Sequence, residues 1–230
     1  MTNTPGRRAI WEQRWDEGTE SGFAWHMTEV PADLPELLDH HQLSAGAALD
    51  LGCGGGVATA YLAGRVATAV GLDIAYGAVA EARRLARETA AAAHFVVADA
   101  TALPFRPGAF ALVFDRGCLQ NLPQPAWPGY FPAIEAVLQP GGHLQLYCSK
   151  AAGPASPPWS WRGLRARLAW LRGRRGPGPQ FLSRQLIGRL AQEHVQVLTL
   201  EDRDFRTAKG NRRALVYGLF ATSGKARSAS

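Results

Sequence analysis

The sequence predicts an α/β fold: a doubly wound, seven-stranded sheet, mostly parallel, with helices on both faces and an antiparallel C-terminal edge pair. Two observations predict it. Apolar runs alternate with helical patterns between residues 45 and 149, and two later apolar runs are joined by only a loop. Strands that alternate with helices form right-handed crossovers and a parallel sheet covered on both faces. With 230 residues, the chain suits a single domain with a complete core.

The predicted elements follow the chain in order. Two helices come first, at 10–18 and 31–41. Five strands and three helices then alternate, with strands at 47–51, 66–72, 94–98, 110–114 and 143–149 and helices at 57–63, 75–92 and 127–138. Gln139-Pro140-Gly141-Gly142 predicts a break before the fifth strand.

The C-terminal part completes the predicted sheet. A helix at 183–194, with Ser183 as its N-cap, precedes strands at 195–200 and 214–220. Residues 151–182 read as an insertion, and residues 222–230 as a disordered tail.

Composition is typical of a globular protein, with 47% hydrophobic and 19% charged residues. The chain has no apolar run long enough to span a membrane, and its first residues lack the apolar core of a secretion signal. Cys53, Cys118 and Cys148 have no Cys-x-x-Cys spacing, which argues against a disulfide framework or a zinc site. We therefore expect a cytoplasmic protein without a bound metal.

The formal net charge of +6 has one source, because residues 159–175 contain six arginines and no acid. Apolar residues recur there at helical spacing: Trp161, Leu164, Leu168 and Leu171. Three interpretations stay open. The segment is a solvated helix that caps the site, which we favour, or it recruits an anionic substrate or nucleic acid, or it lies on a membrane surface.

The first predicted strand ends in a glycine-dense turn, and a helix follows at once. The turn reads Asp50-Leu51-Gly52-Cys53-Gly54-Gly55-Gly56. Glycines permit positive φ and lack a Cβ, so a nucleotide-like ligand can lie against bare backbone. The leading acid suits a cationic ligand that carries an amino acid, which points to S-adenosylmethionine more than to NAD.

Four aspartates sit where predicted strands end: Asp50, Asp73, Asp99 and Asp115. Ligands of open α/β sheets bind at these carboxyl ends. Asp73 is placed to accept the hydroxyls of a ribose, and Asp99 the exocyclic amine of an adenine. One such acid alone could equally cap the next helix, but four at successive strand ends predict a nucleotide site.

The motifs as a set resemble those of class I S-adenosylmethionine-dependent methyltransferases, which implies a Rossmann-like fold. The resemblance covers about residues 45–149 and includes Leu138-x-Pro140-Gly141-Gly142. It implies S-adenosylmethionine as methyl donor, S-adenosylhomocysteine as product and a small-molecule acceptor. The predicted cofactor-binding residues are Trp11, Trp15, Asp50, Gly52, Cys53, Gly54, Gly56, Asp73, Ile74, Asp99, Ala100 and Asp115.

Two further segments resemble the thiopurine and halide/thiol methyltransferase group. They are Trp11-x-x-x-Trp15-x-x-Gly18-Thr19 with Phe23-x-Trp25-His26, and Asp115-Arg116-Gly117. The resemblance implies that Trp11 and Trp15 pack on the cofactor, that Trp25 lines the substrate pocket and that Arg116 faces the substrate. The chain departs from the group by residues inserted between Thr19 and Trp25, and at Gln120-Asn121-Leu122-Pro123.

The expected activity is methylation of a thiol or similar soft atom, with Arg116 and His26 as the candidate catalytic residues. For His26, a structural or pocket-lining role is favoured over that of a base. A nearby arginine favours the thiolate. Tyr147, at the end of the fifth strand, is a substrate-side candidate with a core position as its alternative. Two other functions stay open: O- or N-methylation of a small metabolite, and RNA or membrane-surface binding through the arginine-rich segment.

Overall fold

The structure is a computed structural model that describes residues 4–21, 27, 29–150, 181–206 and 212–223. Its helices are α1 Thr4–Ser21, α2 Asp33–His40, α3 Val57–Ala63, α4 Tyr76–Glu88, α5 Trp127–Val137 and α6 Arg184–Ala191. Its strands are β1 Ala47–Leu51, β2 Thr68–Asp73, β3 Ala93–Val97, β4 Phe110–Arg116, β5 Leu138–Ser149, β6 Gln196–Arg206 and β7 Arg212–Ala221.

The strands form one seven-stranded sheet in the order β3-β2-β1-β4-β5-β7-β6. Strands β1 to β5 pair in parallel, whereas β7 is antiparallel to both β5 and β6. The predicted fold class is therefore confirmed. The chain leaves β1 toward β2 on one side and returns to β4 on the other. This switch point is where open α/β sheets form a ligand crevice.

Each face of the sheet packs against its own helices, because successive apolar residues of a strand point to opposite faces. One core cluster contains Phe131 of α5 and Ile187 of α6 against Leu144 and Phe220. The opposite cluster contains Leu34 of α2 and Leu62 of α3 against strand residues such as Phe114. Burial of both faces fixes the strand register, and with it the position of every strand end.

Local signals place several elements as predicted. Strand β1 and helix α3 have the predicted bounds. The Ser183 hydroxyl accepts a hydrogen bond of 3.2 Å from the Leu186 N–H, which confirms the predicted N-cap of α6.

Helix α5 ends at Val137, just before the predicted breaker at Gln139–Gly142, but the predicted start of the fifth strand at His143 is wrong, because β5 begins at Leu138. Long-range hydrogen bonds hold this segment: the Thr222 N–H donates to the Gly142 carbonyl at 2.9 Å, and its hydroxyl to the Gln139 carbonyl at 2.7 Å. A register shift between Phe110 and Leu112 accommodates the extra length. Thr222, assigned above to the tail, thus bonds to β5 directly after β7 ends.

Helix α1 begins at Thr4, six residues before the predicted start. Arg7 and Arg8 in the added residues contact groups at the ends of β2 and β3. Such long-range contacts are not visible in the local periodicity of the sequence. In the described part of the chain, no helix is both long and apolar enough to cross a membrane.

Candidate functional site

The glycine turn after β1 is built from left-handed backbone. Gly52, Gly54 and Gly56 have φ angles of 73°, 53° and 81°, which residues with a Cβ rarely adopt. The N–H groups of Gly52 and Cys53 donate to the Leu72 carbonyl at 2.8 and 2.9 Å, which ties the turn to β2. A Cβ on Gly56 would lie 2.7 Å from the Ala82 Cβ, so glycine also lets α3 and α4 approach closely.

Asp73 at the end of β2 supports the same turn. Its carboxylate accepts hydrogen bonds of 3.0 Å from the Gly54 N–H and of 3.0 Å from the Ala75 N–H. Burial raises its pKa, and these hydrogen bonds oppose the shift. The residue is only partly buried. Binding of ligand hydroxyls by its carboxylate remains a prediction from its position.

Asp50 at the end of β1 is turned into the protein. It is 3% exposed and accepts a 2.6 Å hydrogen bond from the Thr59 hydroxyl of α3. Burial raises its pKa to about 7. Its described partner belongs to the next helix, so contact with a cationic ligand remains a prediction.

Asp115 at the end of β4 is fully buried. It accepts hydrogen bonds from the Cys118 N–H at 2.7 Å, the Leu119 N–H at 3.0 Å and the Tyr130 hydroxyl at 2.7 Å. Burial raises its pKa to about 6. These contacts shape the turn that follows Arg116, and a direct contact with the cofactor stays a prediction.

Helix α1 lies across the ends of β2 and β3. The Arg7 guanidinium forms an ion pair with Asp99 and donates to the Thr101 hydroxyl at 3.2 Å. The Arg8 guanidinium donates to the Ile74 carbonyl at 3.1 Å. Asp99, the residue predicted to bind the adenine, thus already forms an ion pair within the protein.

The second half of α1 covers the glycine turn. The Glu12 carboxylate accepts hydrogen bonds from the N–H groups of Tyr76 and Gly77, at 2.5 and 3.1 Å, and so caps α4 from outside. Trp15 is 7% exposed, and a Cβ on Gly54 would lie 3.7 Å from its ring.

Trp11 is partly buried beside Trp15, and the Arg14 guanidinium lies 4.7 Å from the centre of its ring. Trp15 thus lies beside the glycine turn with Trp11 packed against it, and contact of either ring with a cofactor remains a prediction.

A cavity of about 160 Å³ lies next to the end of β3. Its wall contains Ala100, Thr101, Leu122 and Tyr130. Ala100 immediately follows Asp99, so this cavity lies near the predicted adenine position.

Arg116 and Tyr147 are neighbours across β4 and β5, at the same register position. Burial lowers the pKa of Arg116, while nearby Tyr147 and Asp50 oppose that shift. Within the described ranges, the half-buried Arg116 guanidinium makes no hydrogen bond or ion pair. An unpaired cation of this kind favours an anionic ligand group.

Tyr147 is buried, and its hydroxyl is engaged on both sides. It donates to Asp33 of α2 and accepts a 3.1 Å hydrogen bond from the Gln145 amide. Asp33 in turn accepts a 2.5 Å hydrogen bond from Arg203 of β6. Burial and Asp33 raise the pKa of Tyr147 well above its usual range. Tyr147 is therefore a neutral residue, held within its own strand by Gln145 and through Asp33 by two distant elements, α2 and β6.

The cysteines lie in the core or at its edge. Burial raises the pKa of Cys53, Cys118 and Cys148 well above the usual value, which keeps all three thiols neutral. No group of three or more potential metal ligands occurs in the segments that the structure describes. Trp25, His26 and residues 151–180 lie outside the described residues.

Sequence reasoning missed four residues of the site: Arg7, Glu12, Asp33 and Thr59. The sequence contains a signal for Glu12 only. Glu12 and Arg8 repeat the i, i+4 spacing of Trp11 and Trp15, so all four residues share one side of α1. The role of Asp33 has no local signal, since its partners lie 114 and 170 residues away.

Comparison with known proteins agrees with this geometry. Residues 48–142 match the family described as a methyltransferase domain. The structure of Burkholderia thailandensis 1,6-didemethyltoxoflavin-N1-methyltransferase, with bound 1,6-didemethyltoxoflavin and S-adenosylhomocysteine, is similar with a TM-score of 0.69 at 18% identity, covering 97% of this chain and 92% of that one. The family match covers less than half of this chain, and the likeness between the two structures shows that they share a fold.

Two curated relatives illustrate the range of similar sequences. The 2-heptyl-1-hydroxyquinolin-4(1H)-one methyltransferase of Mycobacteroides abscessus is 31% identical over 56% of this chain and 58% of its own length. Thiocyanate methyltransferase 1 of Brassica oleracea is 27% identical over 58% of each chain. The chain thus spans less than two thirds of the length of either relative.

Proposed function

We propose that this chain binds S-adenosylmethionine and transfers its methyl group to a small nucleophile, with a thiol or another soft, acidic group as the favoured acceptor. The observation that carries the proposal is the glycine turn at Gly52–Gly56. Its left-handed backbone donates a hydrogen bond to the Asp73 carboxylate and lies beside the ring of Trp15. The match of residues 48–142 to a methyltransferase domain supports it.

The residues present fit this cofactor. The glycine turn would hold the methionine portion against its backbone, Asp73 would accept hydrogen bonds from ribose hydroxyls, and the cavity beside Ala100 lies near the predicted adenine position. When bound, the cofactor supplies an activated methyl group on a sulfonium, which a nucleophile takes by in-line displacement. The contribution of the chain is therefore to bind, orient and desolvate.

Arg116 supports an acidic acceptor. Its half-buried guanidinium has no hydrogen-bond partner among described residues and lies beside the neutral Tyr147. A cation in this position stabilises a thiolate or a similar anion over its protonated form and so lowers the pKa of the acceptor. A thiol with a pKa near ~8.5 then needs no strong base.

The resemblance to the thiopurine and halide/thiol group supports the same acceptor class, and the Brassica relative is named for thiocyanate. O- or N-methylation remains the second candidate. The Mycobacteroides relative is named for a hydroxyquinolinone, and the Burkholderia structure for an N1-methylation. A hydroxyquinolinone hydroxyl is also acidic, so Arg116 suits both a thiol and an acidic hydroxyl.

A methyl-transfer screen tests the proposal. The protein is incubated with methyl-labelled S-adenosylmethionine and thiols, halides, acidic phenols, amines or RNA. We expect turnover on thiols to exceed turnover on amines, and Arg116→Met to lower kcat/KM for thiols about 10²-fold, because the anion loses its partner.

Arg106→Met is the matched control, since this exposed arginine lies outside the site. It should leave turnover unchanged. Transfer to RNA alone, or equal activity of Arg116→Met and the wild type on thiols, would contradict the proposed acceptor.

A further inference from the structure

We propose that the first turns of α1 are an intramolecular competitor of the cofactor, in which Arg7 occupies the Asp99 carboxylate that the adenine amine would use. The inference rests on the proposed cofactor site. Binding of the adenosyl group then requires the Arg7–Asp99 pair to open.

The contacts of α1 coincide with the predicted adenosine contacts. Arg7 pairs with Asp99 and reaches the Thr101 hydroxyl, while Arg8 binds the Ile74 carbonyl. Asp99 and Ile74 are both predicted cofactor residues. Two successive arginines of one helix therefore fill the hydrogen-bonding positions of the adenine side.

The Arg7 interaction is incomplete. The Arg7 side chain is 17% exposed and that of Asp99 is 7% exposed, so both charges are largely withdrawn from water. Yet the Arg7 Nε is buried without a hydrogen-bond partner. An unsatisfied buried donor costs free energy, so this pair is easier to displace than a fully satisfied one.

The other half of α1 has a different character. Glu12 caps the first N–H groups of α4, whose own N-cap residue, Ala75, provides no side-chain hydrogen bond. Trp15 packs against Ala75 and Ala78. These contacts anchor the C-terminal turns of α1 beside the glycine turn. The helix is thus fixed at Glu12 and Trp15 and exchangeable at Arg7 and Arg8.

A titration with S-adenosylhomocysteine tests this exchange. This ligand carries no sulfonium charge, so direct repulsion from arginine contributes little. Arg7→Gln removes the competing cation, and we expect about a fivefold gain in affinity. Arg7→Lys keeps the charge but lacks the planar guanidinium, so its affinity should lie between those of the wild type and Arg7→Gln. Arg84→Gln is the control, because it removes an exposed ion-paired arginine on the outer side of α4.

Equal or weaker binding by Arg7→Gln, with an unchanged melting temperature, would overturn the inference. Failure of the wild type and all variants to bind would instead refute the proposed cofactor site itself.

Discussion

The cofactor side and the acceptor side of this sheet are held in different ways. At the ends of β1 and β2, Asp50 and Asp73 bond to groups of the neighbouring β–α units. At the end of β5, Tyr147 depends on Asp33 and, through it, on Arg203. The cofactor side is thus set by local sequence, whereas the acceptor side is assembled from three distant elements.

This difference explains what the sequence can reveal. The glycine turn and the strand-end acids are visible because each belongs to one short strand–turn–helix unit. Strand β1 and helix α3 were accordingly placed without error. Asp33 and the start of α1 were missed, because their contacts join residues far apart in the chain.

The same reasoning separates the predicted acids. Asp50 and Asp115 were expected to serve the ligand, and the structure gives both of them buried internal partners. Position at a strand end does not tell a ligand acid from a capping acid, since both satisfy nearby N–H groups. The internal partners of each acid differ, and only the fold reveals them.

The largest expected effect concerns Asp115, which links β4 to α5. Asp115→Ala leaves the Tyr130 hydroxyl and two N–H groups without their acceptor, so we expect a loss of roughly 3–5 kcal/mol in unfolding free energy. Urea unfolding measures it. Asp39→Ala, which removes a carboxylate that is 73% exposed, should change stability by less than about 0.5 kcal/mol. Similar losses in both variants would refute a structural role for Asp115.

The glycine turn gives the next largest effect. Gly56→Ala combines a φ of 81° with a contact of 2.7 Å to the Ala82 Cβ, and we expect a loss of roughly 2–4 kcal/mol. Gly141→Ala shares a positive φ of 75° but meets nothing within 4 Å, so strain alone should cost about 1 kcal/mol. Urea unfolding of the two variants isolates the contribution of packing against Ala82. Equal losses of unfolding free energy in both variants would exclude that contribution.

A smaller effect is expected in the pH dependence of stability. The pKa of Asp50 is raised to about 7 in the folded state, so the folded chain binds more protons than the unfolded chain between pH about 4 and 7. Stability should therefore fall as pH rises through this range.

In Asp50→Asn, the fall in unfolding free energy between pH about 4 and 7 should be smaller by roughly 1–3 kcal/mol, because Asn cannot ionise. Unfolding free energies at pH 5 and pH 7.5 test the sign. An unchanged slope in Asp50→Asn would show that Asp50 ionises normally in the fold.

The smallest effect concerns the distant support of the acceptor side. Arg203→Met removes the hydrogen bond to Asp33 and the stacking on Tyr217, where the guanidinium lies 3.5 Å from the ring centre. We expect a two- to threefold rise in the acceptor KM, roughly the effect of one partly exposed contact, with cofactor affinity unchanged. Lys150→Met, which breaks an exposed ion pair with Asp202, is the control. A change in cofactor affinity instead would contradict the separation of the two sides.

The central claim is that the turn at Gly52–Gly56 and Asp73 hold S-adenosylmethionine, and calorimetric titration of the wild type and Asp73→Ala tests it most directly. We predict micromolar-range binding by the wild type and at least about a tenfold loss in the variant, because the ribose loses its acceptor and Gly54 its support. Equal binding by a folded Asp73→Ala would contradict the assignment of this site.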